Sequence, residues 1–354
     1  MSEPMLQIED LHVRFPVRRN MLGRPTVENH AVSGVDLALL PGETLGLVGE
    51  SGCGKTTLGR TIVGAQQATS GSIRYGGRDL TALKNREKGP FRRQIRMVFQ
   101  DPFSSLNPRM TLRQIIGDPL VATGEAKGAE LDDRVAEMMR KVGLSPDYMD
   151  RYPHAFSGGQ RQRVNIARAL IVGPKLVVAD EPVSALDVSV RAQILNLLRE
   201  LQAELGLTYL FISHDLSVVE NIADRVAVMY FGKIVELADT ADLYERPAHP
   251  YTEALMSAVP IPDPSRRGRT GRVLLPDDLP DPTNPPPGCA FASRCRHAEA
   301  GRCDAGAVPL DGGVRCVRKG ELDLQGIVKT DGVQLRAAGV VDARGSAPST
   351  AAIC

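Results

Sequence analysis

Thr44-Leu45-Gly46-Leu47-Val48-Gly49-Glu50-Ser51-Gly52-Cys53-Gly54-Lys55-Thr56 is an apolar run that breaks into glycine and ends in Lys-Thr. Its first five residues read as a short buried strand, and Gly49 to Thr56 fits the phosphate-loop pattern G-x-x-x-x-G-K-[ST]. The glycines let the backbone curl so that several N–H groups point inward. A helix predicted from about Lys55 to Val63 adds the positive end of its dipole. Lys55 brings a charge to the outer phosphates, and the Thr56 hydroxyl is a ligand for Mg²⁺. The pattern alone arises by chance, but a strand before it and a helix after it argue against a stray glycine-rich turn. Cys53 reads as a small loop residue, not a nucleophile.

Further along, Leu176-Val177-Val178-Ala179 is apolar on both faces, as in a buried parallel strand, and runs into Asp180-Glu181. An aspartate at such a tip helps hold Mg²⁺. The next carboxylate, Glu181, is placed to polarise an attacking water. Strand-end acids are sometimes only helix caps, a reading that weakens beside a phosphate loop. Leu11, Val13 and Phe15, and then Val35, Leu37 and Leu39, recur at period two and predict strands, with the mostly polar stretch Arg18 to Asn29 as a loop between them. Ile95 to Phe99 and Tyr209 to Ile212 read as strands, and Arg225 to Leu237 as a hairpin turning at Gly232. Arg109 to Gly173 is mostly helical in pattern, broken at Pro153. Val190, Ile194, Leu197, Leu201 and Leu205 predict a helix that Gly206 stops. The succession of strand, helix and strand means an α/β nucleotide-binding core with antiparallel and helical additions.

With 354 residues the chain has room for one large domain or two smaller ones. Lys plus Arg is 43 and Asp plus Glu is 42, which argues against a general electrostatic grip on nucleic acid. Apolar runs fall far short of the roughly 20 residues a membrane span needs. Met1 to Asp10 carries acids early and lacks an apolar core, so no secretory signal is expected and any membrane role is peripheral. After Asp239, Pro247, Pro250, Pro260, Pro262 and Pro264 punctuate a predicted linker. A second run, Pro276 to Pro287, leads into Cys289, Cys295, Cys303 and Cys316. From about Asp342 the residues are small or polar and predict a disordered tail, in which Cys354 is a bystander.

Phe156-Ser157-Gly158-Gly159-Gln160 lies shortly before the Leu176 strand and opens a helix predicted from Arg161 to Val172. A serine and two glycines at a helix start make a second anion site. This resembles the signature sequence of ATP-binding-cassette (ABC) proteins, with Phe156 in the usual Leu position. The other motifs of that family fall in order. Gln100 resembles the Q-loop glutamine, Ser184-Ala185-Leu186-Asp187 the D-loop, and His214 in Ile212-Ser213-His214-Asp215 the switch histidine that contacts the γ-phosphate. Phe15 fits the aromatic that stacks on adenine, although an aromatic ending an amphipathic strand reads as well as core.

The resemblance implies an α/β P-loop cassette over residues 5 to 240, with an antiparallel β subdomain and a helical signature subdomain at about 101–172. It implies ATP contacts at Phe15, Gly49, Ser51, Gly52, Cys53, Gly54, Lys55, Thr56 and Thr57. Mg²⁺ would be held by Thr56, Gln100 and Asp180, with Glu181, Gln100 and His214 catalytic. Ser157, Gly158, Gly159, Gln160 and Asp187 would act in trans, on the ATP of a second cassette docked head to tail.

Beyond the cassette, Ala248-His249-Pro250-Tyr251-Thr252 and the Pro/Cys-rich segment resemble the C-terminal extension of oligopeptide and dipeptide importer ATPases, here over residues 241–320, leaving 321–354 as the tail. So does Gln100-Asp101-Pro102-Phe103-Ser104-Ser105-Leu106-Asn107-Pro108-Arg109. The nearest likeness is to their second, F-type, ATPase subunit. That implies ATP hydrolysis coupled to import of peptides, or of nickel, sugars or another solute in related systems. The implied partners are two integral membrane permease subunits, a second and paralogous ATPase, and an extracytoplasmic solute-binding protein, with the chain on the cytoplasmic face of the membrane and no nucleic acid involved. The Gln100 to Met110 segment would dock on a short cytoplasmic helix of a permease subunit.

Other functions fit less well. DNA-repair ABC ATPases carry a long coiled coil between phosphate loop and signature, and no heptad run appears here. Ribosome-associated members carry two cassettes, and this chain has one phosphate loop. A non-catalytic module would be expected to lack Glu181 or His214, and an exporter would normally fuse membrane helices. The cysteine spacing is Cys289-x5-Cys295-x7-Cys303-x12-Cys316. In a reduced compartment disulfides are disfavoured, and the C-x-x-C pairs of many zinc sites are absent. The extension resembles one that binds a [4Fe-4S] cluster in some peptide-importer ATPases, with His297 a weaker candidate ligand. Four unligated thiols, or zinc, remain the alternatives.

Overall fold

The computed structural model describes residues 3–21, 25–84, 86–101, 105–259, 273, 275–276 and 280–327. Pro102, Phe103, Ser104, Pro260, Pro262, Pro264 and the tail from 328 through Cys354 therefore lie outside the described residues.

Strands β1 (Leu6–Arg19), β2 (Pro25–Leu39), β4 (Ser70–Tyr75) and β5 (Arg78–Asp79) form an antiparallel sheet in the order β2-β1-β4-β5. The loop expected over Arg18 to Asn29 is mostly strand: β1 runs to Arg19 and pairs there with Pro25 of β2. Their ends, Pro16 to Arg19 and Pro25 to Thr26, are exposed. They pair by backbone bonds, with Arg14 and Glu28 3.8 Å apart across the ribbon, and bury too little to show an apolar alternation.

A second sheet carries β3 (Thr44–Val48), β6 (Ile95–Val98), β7 (Leu176–Asp180), β8 (Thr208–Ser213), β9 (Arg225–Tyr230) and β10 (Lys233–Asp239), in the order β10-β9-β3-β8-β7-β6. Its pairs are parallel except β9 with β10. All residues of β3, β7 and β8 are buried, as two-sided cover requires. Alternate side chains serve two cores. Leu45, Leu47, Val178, Leu210 and Ile212 pack with the antiparallel sheet and with α1 (Lys55–Ile62). Val48, Val177, Ala179, Tyr209 and Phe211 pack on the other face, with the helices.

The α2 helix (Gly89–Gln94) leads into β6. The helical region contains α3 (Leu112–Thr123), α4 (Gly128–Lys141) and α5 (Gly158–Leu170). The last begins three residues earlier and ends two earlier than its pattern predicts, because Ser157 and Gln160 close a capping box around its first turn. After β7 come α6 (Val188–Leu205) and α7 (Leu216–Glu220), and after β10 come α8 (Thr240–Glu245) and α9 (Pro250–Ser257).

Two expectations for the C-terminal part change. Pro250 is not linker but the first residue of α9, where its missing N–H costs nothing. Residues 321–327, expected in the disordered tail, pack on the fold: the Ile327 N–H donates to the Tyr244 carbonyl at 2.8 Å and that of Gln325 to Glu253 Oε1 at 2.9 Å. Tyr230, Tyr251 and Phe291 belong to the same core as β7 and β8, so the extension is built onto the cassette.

Candidate functional site

The functional motifs sit at the carboxyl ends of β3, β7 and β8, where an open parallel sheet presents its loops. The phosphate loop leaves β3 at Gly49, whose backbone lies against Met229: a Cβ there would stand 2.1 Å from the Met229 carbonyl oxygen. Gly54 has φ 107° and touches Ala31, with a Cβ position 2.2 Å from the Ala31 oxygen. Both positions exclude any side chain. Lys55 is buried and donates from Nζ to the carbonyls of Gly49 at 2.7 Å and Glu50 at 2.9 Å. Burial pushes the Cys53 thiol up, which fits a packing residue and not a nucleophile.

The loop floors a cleft of about 390 Å³. Phe15, Asn29, His30 and Ala31 of the antiparallel sheet line one part, with Phe231, Gly232 and Pro282, while Gln100 and Glu181 line another. The Thr56 hydroxyl donates to Asp180 Oδ1 at 3.1 Å. Burial raises the Asp180 carboxyl above its ordinary range, and the Thr56 hydroxyl works against that shift. Thr56 and Asp180 thus stand together at the loop, as a shared cation would need.

Glu181 is held from both sides. Gln100 Nε2 donates to its Oε2 at 2.8 Å, and His214 Nδ1 lies 3.0 Å from its Oε1. The carboxylate only accepts, so that ring nitrogen is the donor. Glu181 has φ 45°, a left-handed backbone that costs a non-glycine residue energy and aims this side chain at the cleft. Its N–H is fixed by the Ile212 carbonyl at 2.9 Å. Such a group can hold a water against a phosphate once one oxygen is released.

Ser157, Gly158, Gly159 and Gln160 do not line this cleft. The Ser157 hydroxyl accepts the Gln160 N–H at 3.3 Å and Gln160 Oε1 accepts the Ser157 N–H at 3.1 Å. Gly158 packs beside Leu186, next to Asp187 at the start of α6. Of the predicted set, Phe15, Ser51 to Thr57, Gln100 and Glu181 line the cleft, Gly49, Asp180 and His214 bond to residues that do, and the Ser157 to Gln160 group lies elsewhere. In the Gln100 to Met110 segment Leu106 is buried, whereas Asn107, Pro108 and Arg109 are exposed.

Cys289, Cys295, Cys303 and Cys316 converge on one small cavity of about 10 Å³, together with His249 and His297. All four thiols are free. Burial pushes up the thiols of Cys289 and Cys316, and that of Cys295 to about 11. The Glu299 N–H points at Cys303 Sγ, 3.4 Å away. Four thiols around one void match a four-sulfur donor set in kind. Among the described residues, however, no three His, Cys, Asp or Glu side chains form a group that could hold a metal ion.

Sequence reading missed Glu50, Tyr251, Pro282 and Arg294. The Pro282 carbonyl accepts the His30 N–H at 3.0 Å beside the cleft, and Arg294 pairs with Glu50 of the phosphate loop at 2.8 Å. No described helix is long and apolar enough to cross a membrane.

Residues 32–184 match the ABC transporter family, and residues 235–303 match the oligopeptide/dipeptide transporter C-terminal region. The oligopeptide transport ATP-binding protein AppF of Bacillus subtilis is 51% identical over 295 residues, covering 83% of this chain and 90% of AppF. OppF of Salmonella typhimurium is 53% identical over 295 residues, covering 82% and 88%. The dipeptide transport ATP-binding protein DppF of Escherichia coli is 50% identical over 296 residues, covering 84% and 88%. Among solved structures, the ATP-binding cassette MJ0796, a dimer in a post-hydrolysis state with ADP and Pi, superposes with a TM-score of 0.59 at 27% identity, covering 67% of this chain and 99% of that one. With this cleft, this extension and these relatives, the chain belongs to the ABC transporter family, as an ATP-hydrolysing subunit of its oligopeptide/dipeptide transporter type.

Proposed function

We propose that the chain powers import of di- or oligopeptides from the cytoplasmic face of the cell membrane, with two membrane permease subunits, a paralogous second ATPase and an extracytoplasmic solute-binding protein. The observation that carries this reading is Glu181 held between Gln100 and His214 at the edge of the phosphate-loop cleft. Residues 5–240 form the cassette, with a helical part at about 101–172, and the extension runs from 241 to at least 327.

In this reading Phe15 stacks on adenine, and Gly49 and Ser51 to Thr57 enclose the phosphates. Thr56, Asp180 and Gln100 would hold Mg²⁺, which would neutralise charge on the phosphates. Bound ATP engages Gln100 and His214 in place of Glu181. That frees Glu181 to orient water and take its proton. Ser157, Gly158, Gly159, Gln160 and Asp187 complete the site of the partner cassette, so hydrolysis needs two cassettes. The Gln100 to Met110 segment docks on a permease helix, and closure of the pair then moves the membrane subunits. Cargo distinguishes this from a nickel or sugar importer. ATP hydrolysis by the assembled transporter should rise with peptide-loaded binding protein. A rise with nickel or a sugar, and none with peptides, would assign the chain to the other branch.

For the four-thiol cavity we infer a structural [4Fe-4S] cluster. When bound, it would tie together the loops that carry Cys289, Cys295, Cys303 and Cys316. Anaerobically purified protein should contain about four iron and four sulfide per chain. Stoichiometric zinc without sulfide, or metal-free protein with all four thiols titratable, would replace this reading.

A further inference from the structure

Glu50 is the second residue of the phosphate loop, and each of its polar groups is engaged. Its N–H donates to the Tyr251 hydroxyl at 2.8 Å. Its carboxylate accepts from Arg294 Nη1 at 2.8 Å and from Nη2 at 3.2 Å, a two-pronged pair. Its carbonyl accepts from Lys55 at 2.9 Å. Tyr251 is fully buried and the Arg294 side chain is 6% exposed. Neither residue lines the cleft. Both come from the extension: Tyr251 from the first turn of α9, and Arg294 from the 3-10 turn Ala292–Arg294 between Cys289 and Cys295.

Arg294 is itself held. Its Nε donates to the Pro276 carbonyl at 2.8 Å, and its guanidinium lies 5.8 Å from the Tyr230 ring centre. Hydrogen bonds to Glu50 raise its proton affinity. A phosphate loop works by presenting N–H groups in one fixed curl. A glycine-rich loop has much conformational freedom to lose, and that loss falls on ligand binding unless the fold has already imposed it.

We propose that Arg294 and Tyr251 are positioning residues for the phosphate loop. They hold Glu50 so that the loop stands preformed for the triphosphate, and the C-terminal extension thereby sets ATP affinity. The proposal rests on the reading of Gly49 to Thr57 as the ATP site.

The test uses the full chain and displacement of a fluorescent trinitrophenyl-ATP by ATP. Glu50→Gln and Arg294→Met should each raise the Kd for ATP about tenfold. The double variant should be no weaker than the worse single one, because both break one pair. Arg294→Lys should recover part of the loss. Thermal midpoints measured alongside separate the roles: a merely structural contact lowers the midpoint and leaves Kd alone. Kd values within about twofold of the parent for both single variants, in protein with parental circular dichroism, would overturn the proposal. If Arg294→Met fails to fold, Glu50→Gln and Tyr251→Phe decide by the same criterion. Lys55→Ala should remove most ATP binding, and undiminished binding there would mean that the loop reading itself had failed.

Discussion

In the cassette, Gly49, Glu181 and His214 ride on the ends of three parallel strands, and backbone ladders fix them. Residues 280–327 are ordered differently. They contain one three-residue 3-10 turn, Ala292–Arg294, and isolated bridges at Val314. A few backbone bonds, such as Leu237 N–H to the Gly313 carbonyl at 2.7 Å, tie them to the cassette, and arginine side chains add the rest. Arg315 donates to the carbonyls of Ile234 at 2.8 Å and Val308 at 2.7 Å, Arg318 to that of His297 at 2.9 Å, and Arg296 to the buried Glu253 at 2.8 Å. A backbone ladder tolerates side-chain change. A side-chain staple does not, because losing one partner leaves a buried polar group unpaired. The cassette should therefore lose function under substitution while keeping its fold, and the extension should lose its fold first.

The largest contrast is at Lys55. Lys55→Ala should weaken ATP binding by more than about a hundredfold, since the loop loses its one charge on the outer phosphates. Its denaturation midpoint should move less than that of any staple variant. Equilibrium binding and urea titration on the same protein check both halves.

Phe291 is next. It is 1% exposed and meets Tyr230, Tyr251 and His249 at ring distances of 5.2, 5.4 and 5.9 Å. Phe291→Ala should cost about 3–5 kcal/mol and expose the extension to protease while β3, β7 and β8 stay protected from hydrogen exchange. Exchange that rose equally in both regions would erase the contrast.

The smallest effect is a pH dependence. His249 caps α9, its Nδ1 accepting the Tyr251 N–H at 3.0 Å, and burial lowers its pKa to about 3 from 6.5. Between those values the unfolded chain binds more protons, so stability falls as pH falls. The contribution is fully present above the unfolded pKa. About 2 kcal/mol should be lost from pH 7 to pH 5. His249→Asn, which keeps an acceptor at the cap, should flatten that slope. An unchanged slope would locate it in other groups.

The same division governs what the sequence discloses. Thr44 to Val48 and Leu176 to Asp180 are legible because burial on both faces makes them continuously apolar, and the helix through Ile194 and Leu201 because burial of one face gives it a period. The ribbon of β1 and β2 beyond Pro16 is not, because its outward residues bury nothing. Gly49 to Thr56 and Asp180-Glu181 are legible because phosphate chemistry demands particular residues at particular spacings, whereas Gln100 and His214 are picked out only by the family resemblance. Arg294 carries no such mark. Its partner Glu50 lies 244 residues away in sequence, and a lone arginine in a proline-rich segment has no pattern to betray it. In the fold, the turn between Cys289 and Cys295 touches the phosphate loop.

Reconstitution in vesicles with permease subunits and a peptide-binding protein, with ATP hydrolysis and peptide uptake measured together, tests whether Glu181 drives transport as proposed. With Glu181→Gln in this chain, ATP should remain bound while hydrolysis and uptake fall by about a hundredfold or more. Parental hydrolysis and uptake in the Glu181→Gln transporter would contradict the account.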